Sequence, residues 1–234
     1  MVERKKLTKL KFKLNIYNQK PVDIDFECKS LIIAGYTGRN IDAVNQHIEE
    51  LKSENIPTPD TIPAFWQVTP DLLTTDTQIQ INGERTNGEI EFVILKTDNE
   101  TYVTVGSDHT DRKIERSDFT LSKQKCAKIV SDNLWLYDDL VEHWDDLILR
   151  SWTSNQNGRD LYQQGNVSKC LKPTDLLVKM KETELLVDTS GLALYCGTLS
   201  TVPGKMIYSD TFYMEIEDPI FNRKINHSYK INKD

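Results

Sequence analysis

Hydrophobic and polar residues alternate with a period of two at the start of the chain. Leu10, Phe12, Leu14 and Ile16 fall on one face and Lys11 and Lys13 on the other, the pattern of a half-buried strand. Val22, Ile24 and Phe26 repeat it, with Asn18 to Pro21 turning the chain between them. The apolar run Leu31 to Ala34 reads as buried and ends in the loop Gly35-Tyr36-Thr37-Gly38-Arg39. The period then changes. Asn40 is a good N-cap, and Ile41, Val44, Ile48 and Leu51 recur at helical spacing until Pro57, Pro59 and Pro63 forbid continuation. Strands are predicted over Gln78 to Ile81, Glu89 to Leu95 and Thr101 to Val105. Leu140, Val141, Trp144, Leu147, Ile148 and Trp152 line one side of a helix predicted over 134–152. A short helix is expected near Thr174, just after Pro173. Strands return over Leu192 to Cys196, Thr211 to Glu217 and Lys224 to Ile231, with Asp218-Pro219 as a turn. Strands at both ends with helices between them make α+β the class. No repeat or linker divides the chain, so one domain is expected over 1–234, opening on a strand region of about residues 8–34.

Composition narrows the function. Hydrophobic residues make up 38% and charged residues 28% of 234, which suits a chain that folds unaided. A net charge of −7 argues against a phosphate-tracking surface and a polybasic membrane anchor. Aromatics do not interleave with a basic stretch, so no nucleic-acid partner is expected. No apolar run approaches the roughly 20 residues that span a bilayer. The basic start, MVERKKLTKLKFKL, is not followed by a signal-peptide apolar core. Cys28, Cys126, Cys170 and Cys196 form no C-x-x-C pair and read as reduced thiols of a cytoplasmic protein. H-E-x-x-H, G-x-S-x-G, Walker and G-x-G-x-x-G motifs are all missing from the sequence.

Three patterns carry candidate chemistry. In Gly88-Glu89-Ile90-Glu91-Phe92-Val93-Ile94-Leu95, the two acids share one side of a strand and Ile90, Phe92 and Ile94 the other. Paired carboxylates there need water, a shared proton or a hard cation such as Mg²⁺ or Mn²⁺; the plain alternative is a solvated sheet edge. Glu215-Ile216-Glu217 repeats the spacing. Second, Ser107-Asp108-His109-Thr110-Asp111-Arg112 closes a strand with a polar cluster. Asp108 would complete a three-acid metal site, and Arg112 would neutralise an anion or acid; a hydrogen-bonded turn is the alternative. Third, His47 and Glu50 meet at i, i+3 on a helix, either as a water-activating pair or as an ordinary helix-boundary histidine. His143 and His227 gain nothing from their surroundings, and His109 is expected to face away from Asp108.

Together these segments resemble the fumarylacetoacetate hydrolase superfamily, most nearly an uncharacterised bacterial family within or beside it. The carrying stretches are GYTGRN at 35–40, HIEEL at 47–51, PAFWQVTPDLLTT at 63–75, GEIEFVIL at 88–95, VGSDHTDR at 105–112, LSKQKC at 121–126, LILRSW at 147–152, CGTL at 196–199 and FYMEIEDPIFNRKINHSY at 212–229. The resemblance implies a β-rich rolled or sandwich-like fold with flanking short helices, and often a homodimer. It implies that Glu89, Glu91 and Asp108 hold Mg²⁺ or Mn²⁺, with Ca²⁺ as a further option. Arg112 matches the superfamily's arginine, and Lys123, with Lys125 as the alternative, its lysine. Gly197 and Thr198 match a Gly-Thr that helps hold the substrate carboxylate, Arg39 of the GYTGRN loop is a further substrate-binding candidate, and His47 with Glu50 resembles a water-activating lid pair. Glu91 and Asp108 stand only 17 positions apart, fewer than is usual. His47 follows its loop about two helical turns late.

The implied activity is that of a metal-dependent hydrolase or lyase for a small 2-oxo acid or 1,3-dicarbonyl compound. The metal would stabilise an enolate, with Lys123 and Arg112 adding positive charge. Decarboxylation or tautomerisation follows if His47 and Glu50 do not deliver water. A non-catalytic module that binds an organic acid is the reading from another class.

Overall fold

The N-terminal alternation becomes an antiparallel hairpin, Thr8–Asn15 with Val22–Cys28, in which Phe12 faces Ile24. A computed structural model describes residues 8–54, 56–183, 185 and 189–233. The larger sheet runs, along its main path, Val22–Cys28, Thr8–Asn15, Asn133–Leu136, Thr101–Asp108, Ile90–Lys96, Leu192–Thr198, Ser30–Gly35, Ala64–Val68. It is mixed: Thr8–Asn15 with Asn133–Leu136 and Leu192–Thr198 with Ser30–Gly35 are parallel pairs, and the other neighbours on the path are antiparallel. A second sheet takes Gly158–Asn166, Ile148–Asn155, Thr211–Asp218, Arg223–Lys233 and Gln78–Ile81.

The strand Ile90–Lys96 shows why the architecture holds. Ile90, Phe92 and Ile94 pack against Leu149, Met214 and Ile216 of the second sheet. Val93 and Leu95 point the other way, into a core shared with Phe12, Phe26, Ile33, Leu134 and Tyr195. Every one of those partners belongs to the larger sheet itself. Side chains from its middle and from the N-terminal hairpin therefore meet, which requires the sheet to curl around them. Each buried Phe or Ile contributes about 1.5–3 kcal/mol. A slip of one residue would turn Glu91 into the inter-sheet core and exchange the side chains fitted to the two cores, so register is strongly specified.

The helix that begins after Asn40 is present as Ile41–Ser53, with Asn40 Oδ1 accepting from Ala43 N at 3.1 Å. Pro173–Lys181 is helical as well. The helix expected over 134–152 is not. Asn133–Leu136 is a strand of the larger sheet, Tyr137–Asp139 and Val141–Asp146 are 3-10 turns, and Ile148–Asn155 is a strand of the second sheet. The segment crosses from one sheet to the other and buries Trp135, Leu140, Trp144, Leu147 and Leu149 on the way. Its apolar spacing imitates a helix, but the backbone bonds go to two ladders, and no side chain caps either 3-10 turn. Among the described residues no helix is long and apolar enough to cross a membrane.

Candidate metal centre and cavity

Antiparallel register builds the acidic cluster. Ile90–Lys96 and Thr101–Asp108 are joined by a turn closed by Thr97 N donating to Glu100 O at 2.9 Å. Glu91 then faces Gly106 and Ile90 faces Ser107. One residue further on, Asp108 N donates to the Glu89 carbonyl at 3.0 Å. Donor oxygens of Glu89, Glu91 and Asp108 consequently lie within 4.8 Å of one another. The short interval between Glu91 and Asp108 is thus a direct hairpin, and pairing alone delivers the third acid.

Three buried cations face the three acids. Lys123 sits on the helix Phe119–Gln124, whose N-cap is Asp118. Its Nζ donates to Glu89 Oε2 at 2.9 Å and Thr110 Oγ1 at 2.8 Å and lies 2.6 Å from Asp108 Oδ2. Lys125, the alternative, is exposed. Arg112 Nη2 lies 3.0 Å from Glu89 Oε1, and Nη1 donates to both Glu115 oxygens at 3.1 and 2.9 Å. Lys128, fully buried, donates to the His109 carbonyl at 2.7 Å and lies 2.9 Å from Asp108 Oδ1.

Proton affinities diverge accordingly. Burial opposes ionisation of Glu89, but Arg112 and Lys123 outweigh it and hold the carboxyl at about 2. Burial, then the charges of Asp108 and Glu89, push Glu91 well above the usual carboxylate range. Burial also disfavours charge on Lys123, yet Asp108, Glu89 and Glu115 keep its ammonium more basic than usual. Lys128 is lowered, because burial there exceeds the attraction of Asp108.

The donor chemistry fits a divalent cation. All three donors are carboxylates, the hard oxygen set that Mg²⁺ and Mn²⁺ prefer. Both Asp108 oxygens are buried, and neither accepts an aligned hydrogen bond despite the lysine ammonium groups beside them. The ammonium groups balance the carboxylate charge, and lone pairs left without an aligned donor are free to engage a cation.

Gly197 completes the surroundings of Glu91. The pairing of Leu192–Thr198 with Ile90–Lys96 shifts register between Tyr195 and Thr198. The bulge frees Gly197 N to donate to Glu91 Oε2 at 2.7 Å. Gly197 has φ 94°, and a Cβ there would stand 1.9 Å from Thr37 Oγ1, so both conformation and space demand glycine. Thr198 Oγ1 donates to Ile90 O at 2.7 Å and accepts from Gln163 Nε2 at 2.9 Å.

These groups form the floor of a cavity of roughly 1000 Å³. His47 and Arg39 lie on its walls, whereas Glu50 is not among the lining residues. The His47 side chain is 60% exposed and its Nδ1 is 3.8 Å from Glu50 Oε2, beyond a hydrogen bond. Arg39 is held by Asp145 through Nη1 and Nη2 at 2.9 and 2.6 Å and donates from Nε to Cys170 O at 2.7 Å. His109 does face away: its Nδ1 is 2.9 Å from Tyr229 Oη, and burial, followed by Lys128, lowers it to about 3. His143 has a partner that its neighbours in sequence do not reveal, Asp218 Oδ1 at 3.1 Å. Glu215 and Glu217 bind Arg150 and Lys224, so that second E-x-E is an ion-paired sheet surface. Sequence reasoning missed Lys128, Thr37 and Gln163. Only Lys128 left a trace, a lysine opening the apolar run Lys128-Ile129-Val130.

The fold is β-rich and fumarylacetoacetate hydrolase-like, and it brings three carboxylates together at a cavity floor. The chain belongs to the family described as protein of unknown function DUF2848, whose model matches residues 34–229. No curated protein matches the chain significantly. Among solved structures, the protein designated Cg1458 is 12% identical, with a TM-score of 0.61 over 97% of this chain and 89% of its own. A hexagonal crystal form of 2-keto-3-deoxyarabinonate dehydratase is 15% identical, with a TM-score of 0.64 over 88% of this chain and 75% of its own. The 2-keto-3-deoxy-D-arabinonate dehydratase complexed with magnesium and 2,5-dioxopentanoate is 14% identical, with a TM-score of 0.61 over 92% and 78%. At such identities the likeness is one of fold.

Proposed function

We propose that this chain is a divalent-metal-dependent lyase or hydrolase acting on a small 2-oxo acid or 1,3-dicarbonyl compound. The observation that carries the reading is the convergence of Glu89, Glu91 and Asp108 within 4.8 Å at the floor of a cavity. A dehydratase of this fold complexed with magnesium and 2,5-dioxopentanoate supports it by analogy.

In this reading Glu89, Glu91 and Asp108 hold Mg²⁺ or Mn²⁺, with Ca²⁺ as a further hard cation. The bound ion supplies Lewis-acid stabilisation of the negative charge that develops on the substrate's carbonyl oxygen. Lys123 and Arg112, fixed by their acids, keep positive potential beside that charge without reorganising. Gly197 aims Glu91, and Thr198 and Arg39 line the cavity where the substrate enters.

His47 on the wall is the group available to deliver water. Its exposure, and the 3.8 Å gap to Glu50, favour decarboxylation or another enolate reaction over hydrolysis. The reading extends to a cytoplasmic homodimer, which sedimentation would check.

The test combines calorimetry with turnover. Mn²⁺ should bind the wild type and fail to bind Glu91→Ala, and oxaloacetate or an acylpyruvate should be consumed only with metal present. Unchanged Mn²⁺ binding by Glu91→Ala would refute the site. Tight organic-acid binding with no turnover would favour the non-catalytic module.

A further inference from the structure

In a chain of net charge −7, this cavity gathers cations. Arg112 and Lys123 are ion-paired where they stand with Glu89, Asp108 and Glu115. Arg85, Lys113 and Arg116 also line the cavity and are exposed. Among the described residues, none of these three side chains has an ion-pair or hydrogen-bond partner.

The fold brings them to one edge. Asp111 pairs with Thr86, and Arg112 N donates to the Arg85 carbonyl at 2.8 Å, so Arg85 lies against the start of the turn Arg112–Glu115. Lys113 and Arg116 stand three residues apart, on one side of that turn. Of the acids beside them in sequence, Glu84 is exposed and off the cavity lining, and Glu115 is occupied elsewhere: both its oxygens bind Arg112, and Oε1 lies 3.7 Å from Lys123. Arg112 bridges the two regions, with Glu89 at one end of its guanidinium and Glu115 at the other. The three free cations therefore lie beyond Arg112 from the carboxylate triad. Lys169, also unpaired and on the cavity wall, belongs to the chain segment beside Arg39 rather than to this group.

We infer that Arg85, Lys113 and Arg116 form a distal anion subsite, which takes a second anionic group, carboxylate or phosphoryl, on a substrate whose 2-oxo acid end lies at Glu89, Glu91 and Asp108. The near end of this assignment rests on the function proposed above; the far end rests on the uncompensated cations. Planar arginine forks suit both anions, because each offers paired oxygens at matching spacing. A cavity of roughly 1000 Å³ accommodates an extended dianion. The subsite would select against 2-oxo acids with apolar tails.

Calorimetry with Mg²⁺-loaded protein tests this. Oxalate reports the near end alone. 2-Oxoglutarate, 2-oxoadipate and 4-phosphono-2-oxobutanoate are compared with 2-oxopentanoate and 2-oxohexanoate, monoacids of matched length. At least one doubly anionic compound should bind about tenfold more tightly than its matched monoacid. The preferred member distinguishes carboxylate from phosphoryl. In the double variant Arg85→Gln/Arg116→Gln that preference should vanish while oxalate affinity stays unchanged. Both side chains are exposed, and circular dichroism checks that the variant folds. No preference in the wild type, a preference that survives the double variant, or equal weakening of oxalate and diacids would each overturn the subsite. If oxalate does not bind the Mg²⁺-loaded wild type, the metal reading has failed. The subsite then stands or falls on inorganic phosphate and succinate with EDTA-treated protein: either should raise Tm of the wild type and not of the double variant, and no rise in the wild type overturns it.

Discussion

Lys128 Nζ lies 2.9 Å from Asp108 Oδ1, and both side chains are buried. On the opposite oxygen Lys123 makes the matching approach at 2.6 Å, so Asp108 is clamped between two ammonium groups. One supports the carboxylate from behind and the other stands on the cavity side.

Removing Lys128 takes away one of the two cations that compensate the buried Asp108 carboxylate. Lys128→Met should lower stability by about 3–5 kcal/mol, read as a fall in the urea midpoint. Lys128→Met/Asp108→Asn should cost clearly less than the sum of the single variants. Additivity within about 0.5 kcal/mol would mean that the two residues do not act as a pair.

Gly197 carries a different constraint. Gly197→Ala adds a Cβ 1.9 Å from Thr37 Oγ1 at a φ of 94°. It should destabilise the protein by about 1–3 kcal/mol and weaken Mn²⁺ binding, since the amide that orients Glu91 would move. Thr37→Ala in the same chain should recover part of the stability, because the nearest clashing atom is gone. A Gly197→Ala variant with unchanged Tm would contradict the crowding.

Divalent ions should stabilise the fold. Free Mg²⁺ or Mn²⁺ at a hundredfold over its Kd contributes about 2.7 kcal/mol, so Tm should rise on addition and return with EDTA. Glu91→Ala should show neither change. A wild-type melting curve indifferent to Mg²⁺, Mn²⁺ and EDTA would indicate acids that are merely solvated or paired with lysine.

The thiols predict an alkaline limb. All four cysteines are buried and free. Burial pushes Cys28 from 9.0 up to about 12, and Cys126 and Cys170 to about 11. The unfolded chain therefore loses these protons at lower pH than the folded one. The resulting stabilisation is complete below pH 9 and is lost as pH climbs through 9 toward about 12. Urea midpoints at rising pH should fall across that window, less steeply for Cys28→Ala. A disulfide reagent at pH 8 should label none of the thiols until denaturant is added.

The sequence disclosed those parts of the site whose geometry is local. A period of two put Glu89 and Glu91 on one side, and the core confirms the partition, with Phe92 and Ile94 on the other. Lys123 and Lys125 looked equivalent in sequence. Two helical residues point about 200° apart, and the helix turns Lys123 inward and Lys125 out. Pairings across the chain stayed hidden. Nothing near Lys128 announces that strand pairing sets it opposite Asp108. Nothing near Gln163 foretells that it binds Thr198 and the Leu199 carbonyl. The error over 134–152 has the same origin. Its apolar side chains fill a core built by two sheets, and local periodicity cannot tell that from one face of a helix.

The hairpin that assembles the three acids has a far end. Asp98 and Asn99 are exposed in its turn, and six or seven strand residues at about 3.3 Å each place them roughly 20 Å from the carboxylates. Burial on both faces locks the intervening ladder, so the turn carries no part of the alignment. A fluorophore, a fused peptide or new chain termini introduced between Asp98 and Asn99 would leave the cavity floor intact. That position is an attachment point from which the protein's working end can be followed without being touched.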